Sequence, residues 1–91
     1  MRIDYDEAKS RRNVERRGIP FADAMELLSA PHVVLRDARR DYGETRFVAY
    51  GLIRDRMHVC VYTLRGDAYR ISSLRKANRR EVDAYSPYVR G

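Results

Sequence analysis

Between residues 20 and 31 the apolar positions Phe21, Ala24, Met25 and Leu28 fall at i, i+3, i+4 and i+7, one stripe of an α-helix, and Leu27 widens it. Pro20 suits a first helical turn, and Pro31 stops the pattern. A more polar helix is predicted upstream. Asp6 is a suitable N-cap, Glu7 and Ala8 open the helix, Arg16 and Arg17 complement the dipole at its end, and Gly18 follows where a left-handed residue is wanted. Its apolar side is thin (Ala8, Val14 and the stems of Lys9 and Arg12), so it is expected to lie on a surface. Arg2 to Tyr5 reads as a short first strand.

From His32 the period shortens. Val33 to Leu35 is a β-prone run, and 36–44 is a polar loop containing Tyr42-Gly43. Strands are predicted at Arg46 to Ile53, Met57 to Leu64 and Ala68 to Leu74. The short turns at Arg54-Asp55 and Arg65-Gly66-Asp67 make these strands antiparallel neighbours. The middle strand is apolar almost throughout, as expected when both faces are covered. In the last strand, alternation puts Tyr69, Ile71 and Ser73 on one face and Arg70, Ser72 and Leu74 on the other. Asn78 and Glu81 have capping-box spacing, Val82 and Tyr85 give the final helix a small apolar side, and Pro87 is expected to bound it. The order β-α-α-β-β-β-β-α predicts an α+β fold: two N-terminal helices packed on an antiparallel meander sheet, with a C-terminal helix.

Length and charge narrow the picture. The 91 residues fit a single domain spanning 1–91 and exclude a multidomain enzyme, a TIM barrel or a full dinucleotide-binding fold. No apolar run is long enough to span a membrane, the first residues carry no apolar signal core, and one cysteine cannot staple a secreted miniprotein. The expected location is therefore the cytoplasm. The net charge is +6, and only Lys9 and Lys76 among the basic residues are lysines. Arginine grips phosphate with a planar fork and stacks on bases, so this excess suits RNA or DNA. A GC-rich genome would produce the same bias without any such partner, and composition alone leaves both readings open.

The densest candidate chemistry is the basic run from Arg70 to Arg80. Arg75, Lys76, Arg79 and Arg80 fall where a strand gives way to a helix, whose N-terminus favours anions. Arg36, Arg39, Arg40 and Arg46 alternate with Asp37, Asp41 and Glu44, a pattern typical of surface ion pairs, although Arg46 opens a strand. Arg11, Arg12, Arg54 and Arg56 read as ordinary solvated charge. The acids show no recognisable metal-ligand spacing, so neither a metal nor another cofactor is expected. A metal-free ribonuclease needs only positioning, positive charge and a proton-transfer group, because the RNA 2′-hydroxyl can serve as nucleophile. His58 shares a face with Cys60 in the apolar strand, where a packed core histidine and a Cys-His pair are both conceivable.

Several motifs together carry a family resemblance. Tyr5-Asp6-Glu7-Ala8-Lys9, Asn13, and Arg17-Gly18-Ile19-Pro20-Phe21-Ala22-Asp23-Ala24 resemble the opening of BrnT-type toxins. So do Asp41-Tyr42-Gly43-Glu44-Thr45-Arg46-Phe47 with Gly51, then Tyr62-Thr63, and Arg70-Ile71-Ser72-Ser73-Leu74-Arg75-Lys76-Ala77 through Glu81 and Tyr85. The resemblance runs from about residue 2 to residue 86. It implies a RelE-like ribonuclease toxin of a type II toxin–antitoxin system that arrests translation. It also implies a ribbon-helix-helix antitoxin resembling BrnA, with operator DNA contacted only through that antitoxin as the complex represses its own operon. Arg46, Arg70, Arg75 and Lys76 match basic positions of the family, and Lys9 matches its opening motif. A family histidine is replaced in Arg16-Arg17-Gly18. The resulting expectation gives Arg46, Arg70 and Arg75 the scissile phosphate, and Lys76, Arg79, Arg80 and Lys9 the RNA backbone. Tyr42 and Tyr62 are candidates for base stacking, and His58, Lys9 and Glu81 for proton transfer. The competing expectation is a small basic domain that binds nucleic acid or protein without catalysis.

Overall fold

A computed structural model describes residues 1–38 and 43–90. Strand β1 (Arg2–Asp4) leads into helix α1 (Glu7–Arg17), and a 3-10 turn (Phe21–Asp23) runs into α2 (Ala24–Ser29). Strands β2 (Val33–Asp37), β3 (Arg46–Ile53), β4 (Arg56–Arg65) and β5 (Ala68–Lys76) follow, and α3 (Arg79–Arg90) ends the chain. The fold is α+β, with one five-stranded sheet in the order β1-β5-β4-β3-β2.

The sheet is mixed rather than wholly antiparallel. β2 to β5 pair with their sequence neighbours in antiparallel fashion, but β1 lies parallel to β5. A three-residue strand separated from its partner by both N-terminal helices and three strands carries no sequence signal for direction. Apolar side chains from one sheet face (Ala49, Cys60, Ile71 and Leu74) form the core with Phe21, Ala24, Leu27 and Leu28.

The capping of α1 follows expectation. Asp6 Oδ1 accepts from the backbone N–H groups of Ala8 (2.8 Å) and Lys9 (3.1 Å), and Gly18 closes the helix at φ 72°. Asn13 Nδ2 donates to the carbonyls of Ile19 (2.8 Å) and Leu74 (2.9 Å), tying this thinly apolar helix to β5.

Three local expectations change. The helix expected from Pro20 opens as a 3-10 turn, so the buried side follows Phe21, Ala24 and Leu27 at a three-residue period and Met25 is turned outward. In β5, Val61 pairs with Ser73 while Tyr62 pairs with Ile71, leaving Ser72 as a bulge. The extra residue resets the alternation, so Ile71 and Leu74 are both buried. Pro87 lies inside α3 rather than at its boundary. The final turn persists because Arg90 donates to the Asp55 carboxylate (2.8 Å) and carbonyl (2.6 Å) in the β3–β4 turn.

Candidate nucleic-acid interface

One register row crosses the entire sheet: Asp37–Arg46–Thr63–Arg70–Asp4. Directly paired residues share a face, so Arg46 and Arg70 flank Thr63 on the face opposite the core cluster. Their Cα atoms are separated by two strand spacings, about 10 Å. Arg70 donates to Asp4 Oδ2 at 2.8 Å, and this hydrogen bond holds the Asp4 carboxyl below its usual range. Thr63 is buried between the arginines. A pocket of about 200 Å³ at this end of the sheet is lined by Lys9, Arg46, Thr63, Arg70, Arg65 and Glu44, among others. Arg65 and Glu44 pair across it at 3.3 Å. Lys9 reaches this pocket from the first turn of α1, whose position Asp6 fixes; the amide bonds to Asp6 lower its pKa.

Arg75 belongs to a different row, Tyr50–Val59–Arg75, four residues along β4 from Thr63 and therefore about 13 Å away. Its guanidinium donates two hydrogen bonds to Glu81, at 2.8 and 2.9 Å. Glu81 also accepts from the Asn78 N–H, and its own N–H donates to Asn78 Oδ1, both at 2.9 Å. This completes the expected capping box. It also occupies amides of the helix N-terminus that the sequence offered for an anion. The Arg75 hydrogen bonds lower the pKa of Glu81, keeping it an ion-paired carboxylate. Tyr50 and Tyr85 stack beside the pair at 4.0 Å, and burial raises the Tyr50 phenol. Arg79 and Arg80 are exposed in the first turn of α3, with Arg79 paired to Asp83 at 3.4 Å.

His58 pairs across the sheet with Lys76 and lies on the other face, five residues along β4 from Thr63. It is buried, with Nδ1 2.7 Å from the Arg56 carbonyl. A carbonyl only accepts, so Nδ1 carries the proton and Nε2 keeps its lone pair. Burial is the largest cause of its lowered pKa, so the ring is neutral at pH 7. The ring borders a cleft of about 380 Å³ with Arg17, Arg54, Arg56 and Lys76. Cys60 is fully buried and its thiol is pushed up to about 12, which leaves no thiolate for a nucleophilic pair. Tyr62 is also a core ring, 5.4 Å from Phe47 and 5.0 Å from Tyr69, so its faces are taken by neighbours. Tyr42, with Arg39, Arg40 and Asp41, lies outside the described residues.

The structure thus brings Arg46, Arg70 and Lys9 together and separates them from Arg75, Glu81 and His58. It also reveals residues that sequence reasoning missed. Arg12, Arg16 and Arg17 line a groove of about 200 Å³ between α1 and the β5 bulge, with Ser72 and Ser73 on its other side. Arg54 and Arg56, read as solvated charge, border the His58 cleft. A signal for the groove was present: Lys9, Arg12, Asn13 and Arg16 recur at i, i+3, i+4 and i+7, a polar counterpart of an apolar stripe. Among the described residues, no group of three or more His, Cys, Asp or Glu side chains is placed to hold a metal ion, and no helix is long and apolar enough to cross a membrane.

Residues 5–81 match a family model described as ribonuclease toxin, BrnT, of type II toxin-antitoxin system. A search among curated proteins finds no match.

Proposed function

The chain belongs to the BrnT family of ribonuclease toxins of type II toxin–antitoxin systems, and on that premise we propose that it cleaves RNA without a metal ion at the pocket shared by Arg46, Thr63, Arg70 and Lys9. The observation that carries this reading is the row in which two guanidiniums flank Thr63. In the proposed reaction the 2′-hydroxyl attacks the adjacent phosphorus and loses its proton to solvent. The new O2′–P bond replaces the P–O5′ bond, leaving a cyclic phosphate. Arg46 and Arg70 offset the charge growing on the phosphoryl oxygens, as fixed donors do most effectively in a partly dry site. The Lys9 ammonium protonates the departing O5′.

Arg75 serves this site through structure: its fork to Glu81 anchors α3 and the end of β5. Lys76, Arg79 and Arg80 contact the RNA backbone. Cleavage of cellular RNA inhibits translation in the cytoplasm. A ribbon-helix-helix antitoxin covers the basic surface, and the complex represses its operon.

The test is cleavage of single-stranded RNA by the purified chain in EDTA. Wild type should cut, and Arg46→Ala and Arg70→Ala should each lower the rate by about a hundredfold or more. Cleavage that requires added magnesium overturns the metal-free mechanism. Unchanged rates in both variants overturn the site. Salt-sensitive RNA binding without cleavage would identify a non-catalytic binding module instead.

A further inference from the structure

Four hollows on the molecule join end to end. The pocket of Arg46 and Arg70 shares Lys9 and Ser72 with the groove beside α1. That groove shares Arg16 and Arg17 with a third hollow, which shares Arg17 and Lys76 with the His58 cleft. The result is one continuous basic path from the arginine row, along α1, to His58. From Lys9 to Arg17 the helix advances about 12 Å.

Along the α1 segment of this path the charges differ from those elsewhere on the surface and at the path's two ends. Arg2, Arg54, Arg65, Arg70, Arg75, and Arg90 each face a carboxylate within ion-pair distance. Arg12, Arg16, Arg17 and Lys9 form no ion pair among the described residues, although all four lie on a single helix. The acids of α1, Glu7 and Glu15, line none of these grooves. Holding like charges together costs energy unless an anion spans them. The opposite wall supplies hydroxyls from Ser72 and Ser73, where the bulge widens β5.

We propose that the face of α1 bearing Arg12, Arg16 and Arg17 is the track that holds the single-stranded RNA backbone beside the cleavage pocket. This rests on the reading that RNA is the substrate. Single-stranded RNA fits better than an acidic protein segment. The walls offer cations and small hydroxyls, whereas a protein interface is centred on apolar and aromatic anchors. The track enters the pocket at Lys9, so a strand bound there presents its next phosphate to Arg70. It leaves past Lys76, which explains how that lysine contacts RNA from the far face of the sheet.

The experiment compares wild type, the triple variant Arg12→Gln/Arg16→Gln/Arg17→Gln and a control, Arg11→Gln, which lies on α1 outside the grooves. Binding of a fluorescent single-stranded RNA is followed across salt concentrations, and thermal melting verifies that each protein is folded. A lost phosphate contact lowers the slope of log affinity against log salt by about 0.7, so the triple variant should lose about two and the control almost nothing. Equal slopes in a folded triple variant and wild type overturn the track. So does a triple variant that keeps RNA binding and loses only antitoxin binding, which would make α1 a protein-docking face. If wild type itself binds no RNA, the functional reading fails rather than the track alone. If the triple variant melts early, Arg12→Lys/Arg16→Lys/Arg17→Lys replaces it. That variant should keep the slope while losing bidentate contacts, and a slope collapse in it overturns the assignment.

Discussion

Two residues show how a single position governs this fold. Gly51 sits on β3 where an added Cβ would lie 3.0 Å from both Leu27 and His32. Gly51→Ala therefore requires the Leu27 and His32 side chains to give way and should destabilise by roughly 1–3 kcal/mol, read as a lower midpoint in urea without a change in slope. His58 acts through its protons. Its folded pKa lies below the ordinary 6.5, so the unfolded chain binds more protons just under that value. Stability is full above about pH 6.5 and falls as the pH drops toward the folded pKa. His58→Gln should remove that segment of the pH–stability curve. Individual residues were unevenly legible. The Asp6 cap and Gly18 could be read because local backbone geometry demands them. The burial of Tyr62 could not, since a polar-tipped ring on a strand looks alike from both faces. Thr63 was invisible as a candidate because the arginines that flank it come from two other strands.

At the scale of elements, the Arg75–Glu81 ion pair fastens the start of α3, and the Asn13 amide ties α1 to β5. The carboxylate of Glu81 is held below its ordinary 4.5 by Arg75, so this contribution is present above about pH 4.5 and disappears as the pH falls through the folded pKa. Acid should thus loosen the N-terminal end of α3 after His58 has already weakened the sheet. Glu81→Gln should flatten the second step in a pH titration of melting temperature. Asn13→Ala removes both bonds from α1 to Ile19 and Leu74 and should cost about 1–3 kcal/mol. The same variant should weaken RNA binding in proportion, because it lets the basic face of α1 drift from the β5 bulge. Strand positions were legible from turn residues, and β3 lies where the sequence placed it, at Arg46–Ile53. The bulge was not, because Ser72-Ser73 fits regular alternation equally well. The persistence of α3 past Pro87 depends on Arg90 reaching a turn far away in sequence.

For the whole molecule, the excess of positive charge resolves into two populations. Most paired arginines brace the fold, while those along α1 and at Lys76 remain available to a polyanion. RNA affinity should consequently fall steeply between low and physiological salt, and a shift measured by anisotropy at 50 and 200 mM would reveal it. Composition left a phosphate-rich partner and a genomic bias both open; which arginines would meet such a partner depends on strand register and helix docking, which no local pattern records. Cys60 adds an experimental handle. The sole thiol is sealed in the middle of the sheet, so an alkylating reagent reaches it only during opening events that undo the core. Its labelling becomes a clock for those openings, one reaction per chain and no reporter to attach. Any ligand of the folded state slows that clock by a factor set by its concentration over its dissociation constant. The protein thus carries a gauge of ligand occupancy with which RNA or antitoxin binding can be tested independently of any cleavage.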